Sequence, residues 1–542
     1  MNIQKFSNTP NFKGAIININ ALSDTHGHIE RADLCFQTMM NNDLFEHEKR
    51  GSENFLITGG DWFIAGEKKG YKSNPNKPLM YFQLDIYNKF IEEIKKKFPN
   101  LKSLFVIGNH ELDAEEKTIH DTFSKLDSQI IATNLDFDNS SAFKDLKDED
   151  KIVKLRVDYI KDDKDETKFH PVLNIGISPI NMAFYQGYQE GINFIENAKT
   201  SSNFDTSKTF SEVQKAVKAF KERYPRGVVI LTSHTGVGFA SKCAQMGNID
   251  LIFDAHEHKD ETNFVNNTPI VSLSMDFQKL ANAKIKLDDD GKIKELKIKS
   301  YNPLTEENNK KGEITKFYKK IFKDDFKKIY SIKSSDSNLK RLGVEGIRYK
   351  NSNLSNFVTD CILSELQKTN PDVDIFALNT SSIRGGFELN EGKNVSNIEV
   401  INCLDGLKHS QAEIYKTKIN GRTLAMLVLD NILFNSVNPQ RHSLIQYSGI
   451  KIDVTSMFRN CIKGDTNELC NFITLEKEDK PIEPYRFYTI ANPEKYFIKT
   501  TKTNIKNLFE ISTPTGQNAV DLFIKYFENN PNSTIEPKVR IY

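Results

Sequence analysis

The chain has 542 residues, 38% of them apolar, and its 74 Lys and Arg stand against 73 Asp and Glu for a formal charge of +1. Such a length exceeds what one hydrophobic core organises and implies two or more domains. A near-zero charge excludes a molecule-wide field for gathering nucleic acid polymers, although a small anion needs only a local patch. Six cysteines, Cys35, Cys243, Cys361, Cys403, Cys461 and Cys470, are scattered without paired spacing and read as reduced, buried thiols; only Cys461 and Cys470 are near enough in sequence to bridge one loop.

Residues 1–14 are polar, and the apolar run 15–22 that follows is broken by Asn18 and Asn20, so it reads as a strand rather than a secretory or membrane segment. It ends at Leu22-Ser23-Asp24-Thr25-His26-Gly27. Residues 55–58 form a second short apolar run, ending at Gly59-Gly60-Asp61, and residues 104–107 a third, ending at Gly108-Asn109-His110-Glu111. Residues 118–126 read as a helix and 129–135 as a strand. The Lys- and Asp-dense stretch 145–165 reads as a solvated hairpin before a strand over 172–177. Val213, Val217 and Phe220 at helical spacing place a helix over 210–224, feeding a strand over 228–231 that ends at Thr232-Ser233-His234-Thr235. A last run, 251–253, ends at Asp254-Ala255-His256-Glu257-His258.

Five apolar strands thus each stop at a cluster of carboxylate, imidazole or amide side chains. Ligands in open α/β sheets gather at the carboxyl ends of strands, so the five clusters imply one site. Oxygen and nitrogen donors without cysteine suit a catalytic zinc, manganese or similar divalent ion and not a closed structural zinc site. Two ions need a shared ligand, and Asp61, with two carboxylate oxygens at a strand end, is the candidate bridge.

The ordered set Asp-x-His-Gly, Gly-Asp, Gly-Asn-His-Glu, Ser-His and His-x-His resembles the calcineurin-like metallophosphoesterases, and its spacing is most similar to their two-domain 5′-nucleotidase branch. The resemblance implies a four-layer α/β/β/α metallophosphoesterase domain over residues 1–305, a linker helix over 306–335, and a smaller α+β substrate-specificity domain of the 5′-nucleotidase C-terminal type over 336–542. It implies two divalent metal ions, one held by Asp24, His26, Asp61 and His258, the other by Asp61, Asn109, His234 and His256. Ala255 stands where relatives have glycine. Two cations would lower the pKa of a shared water from 15.7 to about 7, giving a hydroxide for direct attack on phosphorus. His110 would protonate the leaving alkoxide and Asp113 would orient its imidazole, while Asp113 also opens a helix-start pattern at Asp113-Ala114-Glu115-Glu116. His28, His47, His120 and His170 match no ligand position.

Residues 306–333 carry Ile314, Phe317, Tyr318, Ile321, Phe322, Phe326 and Ile329 near three-to-four spacing, an amphipathic helix between domains. Rotation between the two domains is a further expectation of the resemblance. In the carboxyl-terminal half the resemblance is fainter. Arg348 falls at the place of a substrate- or phosphate-binding arginine, and Asn379-Thr380-Ser381-Ser382-Ile383-Arg384 falls where relatives carry Asn-Gly-Gly-Gly-Ile-Arg, so Asn379 and Arg384 match and the glycines do not. Lys408-His409-Ser410-Gln411 replaces the usual Pro-Phe-Gly-Asn turn, leaving His409 as the side chain to stack on a base; Tyr496 and Phe497 occur near the second aromatic position without its Gly-Gly-Asp-Gly.

The leading expectation is therefore a phosphomonoesterase acting on a nucleoside 5′-monophosphate, a small nucleotide partner for a monomer with no nucleic acid polymer and no membrane. Alternatives are a 2′,3′-cyclic nucleotide, nucleotide-sugar or non-nucleotide phosphoesterase, or a metal-stabilised binding protein without turnover. Lacking a visible export signal, the chain is expected in the cytoplasm, although its relatives are commonly exported.

Overall fold

The structure, a computed structural model, describes residues 14–46, 50–64, 77–112, 114, 116–135, 143–179, 206–304, 312–327, 329–336, 338–339, 341–343, 352–389, 394–404, 407, 412–437, 444–461, 467–493, 512–536 and 540. Two compact units divide between Ile321 and Phe322.

In the first unit, Ala15–Leu22 (β1), Ser52–Thr58 (β2), Lys102–Val106 (β3), Gln129–Ile131 (β4) and Ile152–Val153 (β5) run parallel. Leu155–Lys161 (β6), Phe169–Ile177 (β7), Val228–Ser233 (β8), Leu251–Asp254 (β9), Thr262–Val265 (β10) and Thr268–Ser272 (β11) build a second sheet in the order β10-β11-β9-β8-β7-β6. Leu280–Leu287 (β12) and Ile293–Tyr301 (β13) return antiparallel to the first sheet, whose order is β13-β12-β1-β2-β3-β4-β5. Because strand side chains alternate, each sheet presents two faces. Ile17, Ile19 and Phe55 meet Val228, Ile230 and Phe253 in one buried layer between the sheets. The alternate set on the second sheet, among them Leu173, Leu231 and Ile252, packs under the helices Thr206–Arg223 and Val237–Met246 through Val217, Phe220 and Phe239. On the outer face of the first sheet, Tyr87 of the helix Leu79–Lys95 stands edge-on to Phe105 and Trp62. The layers are α/β/β/α, as expected.

Asn18 and Asn20, which interrupt the apolar run of β1, point away from the inter-sheet core. Asn282 of β12 donates through Nδ2 to Asn18 Oδ1 at 3.1 Å and Asn20 Oδ1 at 3.0 Å, while Asn18 and Asn20 donate to the Leu44 carbonyl at 2.7 and 2.8 Å. All three asparagines are buried, so these bonds satisfy groups that water cannot reach. The charged stretch 145–165 contains β5 and β6, the first strand of a hairpin with β7 whose register pairs Leu155 with Ile175 through Lys161 with Phe169.

The expected single helix over 306–335 is corrected. A helix covers Glu313–Ile321, a second short one Lys323–Lys327, and Ile329–Ser334 is a strand. The first helix belongs to unit 1, where Asp33 Oδ2 accepts from Gly312 N at 2.7 Å and Thr315 Oγ1 at 2.6 Å. Beyond it, buried Tyr330 and Ile332 follow a period of two, and the strand pairs in parallel with Asn532–Ile535. A ladder partner some two hundred residues away in sequence overrides the local helical spacing.

The second unit centres on a five-stranded sheet in the order Ile445–Ser448, Ile375–Asn379, Phe487–Asn492, Glu413–Asn420, Thr513–Asn518. Ile375 and Ala377 face a core shared with Leu424 and Val428 of the helix Gly421–Val437. Phe376 and Leu378 face the opposite one, with Val358 and Ile362 of the helix Asn353–Thr369 and Phe523 of Ala519–Asn529. Cys35, Cys243, Cys361 and Cys470 are buried thiols outside any disulfide, so Cys470 is not bridged to Cys461. No helix among the described residues is long and apolar enough to cross a membrane.

Candidate metal centre

The five clusters sit at the carboxyl ends of β1, β2, β3, β8 and β9, three strands of one sheet and two of the other. Backbone and glycine geometry bring them together. Asp24 N donates to Gly60 O at 2.9 Å and His26 N to Asp61 O at 3.0 Å, pinning the first cluster to the second. Gly60 has φ +96°, and a Cβ on it would lie 2.6 Å from Gly108 N and 2.7 Å from His234 Nδ1; a Cβ on Gly108 would collide with Asp61. Only glycine admits this approach of three strand ends. Glu111, buried, completes it: Oε2 accepts from Asp61 N at 2.8 Å and Gly108 N at 2.6 Å, and Oε1 from Phe63 N at 3.1 Å.

The side chains converge accordingly. His258 Nε2 lies 3.2 Å from Asp24 Oδ1, and His26 Nε2 lies 3.8 Å from both Asp24 Oδ1 and Asp61 Oδ2. On the other side, His234 Nε2 is 3.1 Å from Asp61 Oδ2 and 3.8 Å from Asp24 Oδ1, while His256 Nδ1 and Asn109 Oδ1 stand 3.0 Å apart. Donor atoms of Asp24, His26 and His258 form one group within 4.8 Å of one another, and those of Asp61, His234 and His256 form another; His110 groups with His26 and Asp61. All seven expected ligands therefore meet. Asp24 Oδ1, His26 Nε2 and His234 Nε2 are buried and face one another, Asp61 and His258 at ion-pair distances without a well-formed hydrogen bond, which leaves buried polar atoms poorly satisfied. Three such atoms aimed at one point fit a bound cation.

Charge in the metal-free protein follows from burial and proximity. Burial alone would raise the Asp24 and Asp61 carboxyls, but the imidazoles outweigh it, His234 and His258 for Asp24, His234 and His110 for Asp61, and hold both below the usual range. Burial opposes a charge on His234, yet Asp61 and Asp24 push it up to about 10. Burial and the neighbouring Asp61 push Glu111 up to about 8, and burial with Glu257 raises Asp254. Burial and His234 lower His256.

His110 is half-buried, its N–H donating to Asp61 Oδ1 at 2.8 Å and its ring 5.5 Å from that of His26. Asp113, Arg348 and His409 lie outside the described residues, as do Tyr496 and Phe497. In the second unit Asn379 Oδ1 accepts from Ser381 N at 3.0 Å and Ser381 Oγ at 2.9 Å, capping the turn Thr380–Ser382, and Arg384 follows with its N–H on the Cys403 carbonyl. Sequence reasoning assigned no role to Glu111 and did not find Asp276, whose Oδ1 is 3.2 Å from His26 Nδ1. The first stood inside a recognised cluster; the second stands in none.

Residues 17–260 match the family model described as calcineurin-like phosphoesterase. Carboxylate and imidazole clusters at strand ends of both sheets of an α/β/β/α sandwich, together with the family match over the same residues, support a metal-dependent phosphoester hydrolase. Among solved structures, a 5′-nucleotidase precursor from Thermus thermophilus is similar with a TM-score of 0.64 and 14% identity, covering 97% of this chain and 99% of its own. The sulfate thiohydrolase SoxB from Thermus thermophilus gives 0.61 at 14% identity over 98% of this chain and 97% of its own. A putative 5′-nucleotidase from Staphylococcus aureus gives 0.54 at 14% identity over 97% and 99%. These likenesses extend the shared fold over both units, and because neighbours named for different reactions have it, the fold alone selects no substrate. No curated protein sequence matches the chain.

Proposed function

We propose that the chain hydrolyses a phosphomonoester, with a nucleoside 5′-monophosphate as the first substrate class, at a centre of two divalent cations such as zinc or manganese. The observation that carries this reading is the convergence of Asp24 Oδ1, His26 Nε2 and His234 Nε2, buried without well-formed hydrogen bonds beside the shared carboxylate of Asp61. Asp24, His26, Asp61 and His258 hold one cation, and Asp61, Asn109, His234 and His256 the other. When bound, such a pair supplies a water deprotonated near neutral pH and neutralises phosphoryl charge.

The chain's own groups do the rest. Gly59 O accepts at 2.7 Å from His234 Nδ1, which leaves Nε2 of that ring facing Asp61. His110, tied through its backbone to Asp61, gives a proton to the departing alkoxide. Asp113 orients it, and Arg348, Asn379, Arg384 and His409 bind substrate, roles carried by the resemblance. The second unit is assigned substrate specificity on the same ground. A second reading, a non-nucleotide phosphate ester, is favoured by Lys408-His409-Ser410-Gln411 standing in place of the aromatic turn.

Hydrolysis by the metal-reconstituted protein, followed as released phosphate for nucleoside 5′-monophosphates and an aryl phosphate and as chromatographically resolved products for 2′,3′-cyclic nucleotides and nucleotide sugars, tests both readings, with Asp61→Asn as control. Preference for 5′-monophosphates, abolished in the control, is expected. Metal-dependent aryl phosphate cleavage without nucleotide preference selects the second reading, and no metal-dependent hydrolysis of any member rejects both.

A further inference from the structure

We propose that Asp276 is a positioning residue of this centre: its carboxylate accepts from His26 Nδ1 and so fixes the tautomer and rotation in which Nε2 faces a metal ion. The inference rests on the dinuclear reading, since there His26 is a ligand. A neutral imidazole carries its proton on one nitrogen and its lone pair on the other, so whatever accepts from Nδ1–H decides that Nε2 is the donor to a metal. Asp276 Oδ1 stands 3.2 Å from His26 Nδ1, both residues are buried, and 250 positions separate them in the chain.

Asp276 is itself held through its carboxylate and its backbone. His28 Nε2 lies 3.6 Å from the same Oδ1, Arg31 Nη1 donates to the Asp276 carbonyl at 3.0 Å, and Asp276 N donates to the carbonyl of Asp24 at 2.7 Å. One short segment thereby receives Asp24 through its backbone and His26 through its side chain. The buried His28, which matches no ligand position, belongs to this bracing.

The backbone at the same place is strained. Asp24, His26, Asp61, His256 and His258 all have positive φ, between 47° and 80°, and Asp276 and Phe277 share the feature at 56° and 58°. Non-glycine residues occupy this region at a cost, and a bulky phenylalanine there is a marked outlier. Phe277 is buried, with its ring edge-on to Trp62 at 5.4 Å between centroids, so packing holds the strained pair in place. Five of the seven proposed ligands thus share their backbone conformation with the residue that orients one of them, and Asn109 and His234 do not.

The test is titration of the metal-free protein with Co2+, following bound metal and the visible absorption of the bound ion. Asp276→Ala is expected to weaken one of two equivalents by roughly 10–100-fold and to change the absorption of that ion alone. Asp276→Asn, which keeps an acceptor oxygen and the fold, should fall between. In a His26→Ala background, either substitution should add no further weakening, which separates an effect through His26 from general loosening. Unchanged affinity in both variants, or losses that add to that of His26→Ala, would overturn the proposal. Fewer than two equivalents bound by the unsubstituted protein would refute the dinuclear reading beneath it, before any variant is compared.

Discussion

His234 Nε2 stands 3.1 Å from Asp61 Oδ2, inside a pocket that contains a second buried carboxylate, Asp24. Those carboxylates push the imidazole up to about 10 against the effect of burial, so the metal-free protein carries a proton on His234 at neutral pH. A ligand must shed its proton to bind, and metal uptake at pH 7 to 9 should release one proton from this ring. Calorimetric titration in two buffers of different ionisation enthalpy measures it. Uptake without proton release would show that the His234 ring carries no proton to shed in the metal-free protein.

The same shift has a consequence for stability. His234 is raised above its unfolded value of about 6.5, so its contribution is complete below that pH and is lost as pH rises through about 10. Asp24 and Asp61 are depressed, and theirs is present above about 3.9 and lost in acid. The chelator-treated protein should therefore melt at progressively lower temperature between pH 6.5 and 10. A His234→Asn variant should show a flatter profile over that window; an equally steep fall in the variant would place its cause elsewhere.

Glu111 is the keystone between the second and third clusters, because its two oxygens accept three backbone N–H groups. In Glu111→Gln one of those donors must face an amide NH2. We expect a loss of about 1–3 kcal/mol in unfolding free energy, together with weaker metal retention on dialysis. Denaturant melts that match the unsubstituted protein would show that the loop closes without this carboxylate.

Asn282→Ala should destabilise the first unit by about 1–3 kcal/mol, because it leaves the Oδ1 atoms of Asn18 and Asn20 without the buried donor they now share. Activity per folded molecule should not change, since no asparagine of this network belongs to the ligand set. A thermal shift of less than a degree would contradict the account.

How much of this was legible beforehand varies with the range of the interaction concerned. The five strand-end clusters were readable because each joins a local apolar run to ligand chemistry within a few residues, and the seven residues expected as ligands meet in space. Asp276 was not, because it touches His26 only through a fold that closes 250 positions, and nothing in Ser274-Met275-Asp276-Phe277 signals chemistry. Residues 306–333 misled for a related reason: a helical spacing of Ile314, Phe317 and Tyr318 runs into a strand whose partner lies at Asn532–Ile535. Asn18 and Asn20 signalled that β1 is no membrane span, but their shared donor on β12 could be found only in three dimensions.

In the first sheet β1, which delivers Asp24 and His26, lies between β2 and β12. The segment Leu280–Leu287 arrives more than two hundred and fifty residues after it. During synthesis the first ligands thus emerge long before one of the two strands that clasp them, and until it docks that side of β1 offers unpaired backbone groups. On the proposed ligand set, a growing chain completes this centre late: a ribosome must pass His258 for the last donor and residue 287 for the clasp, with β13 and the helix Glu313–Ile321 of the same unit still to come.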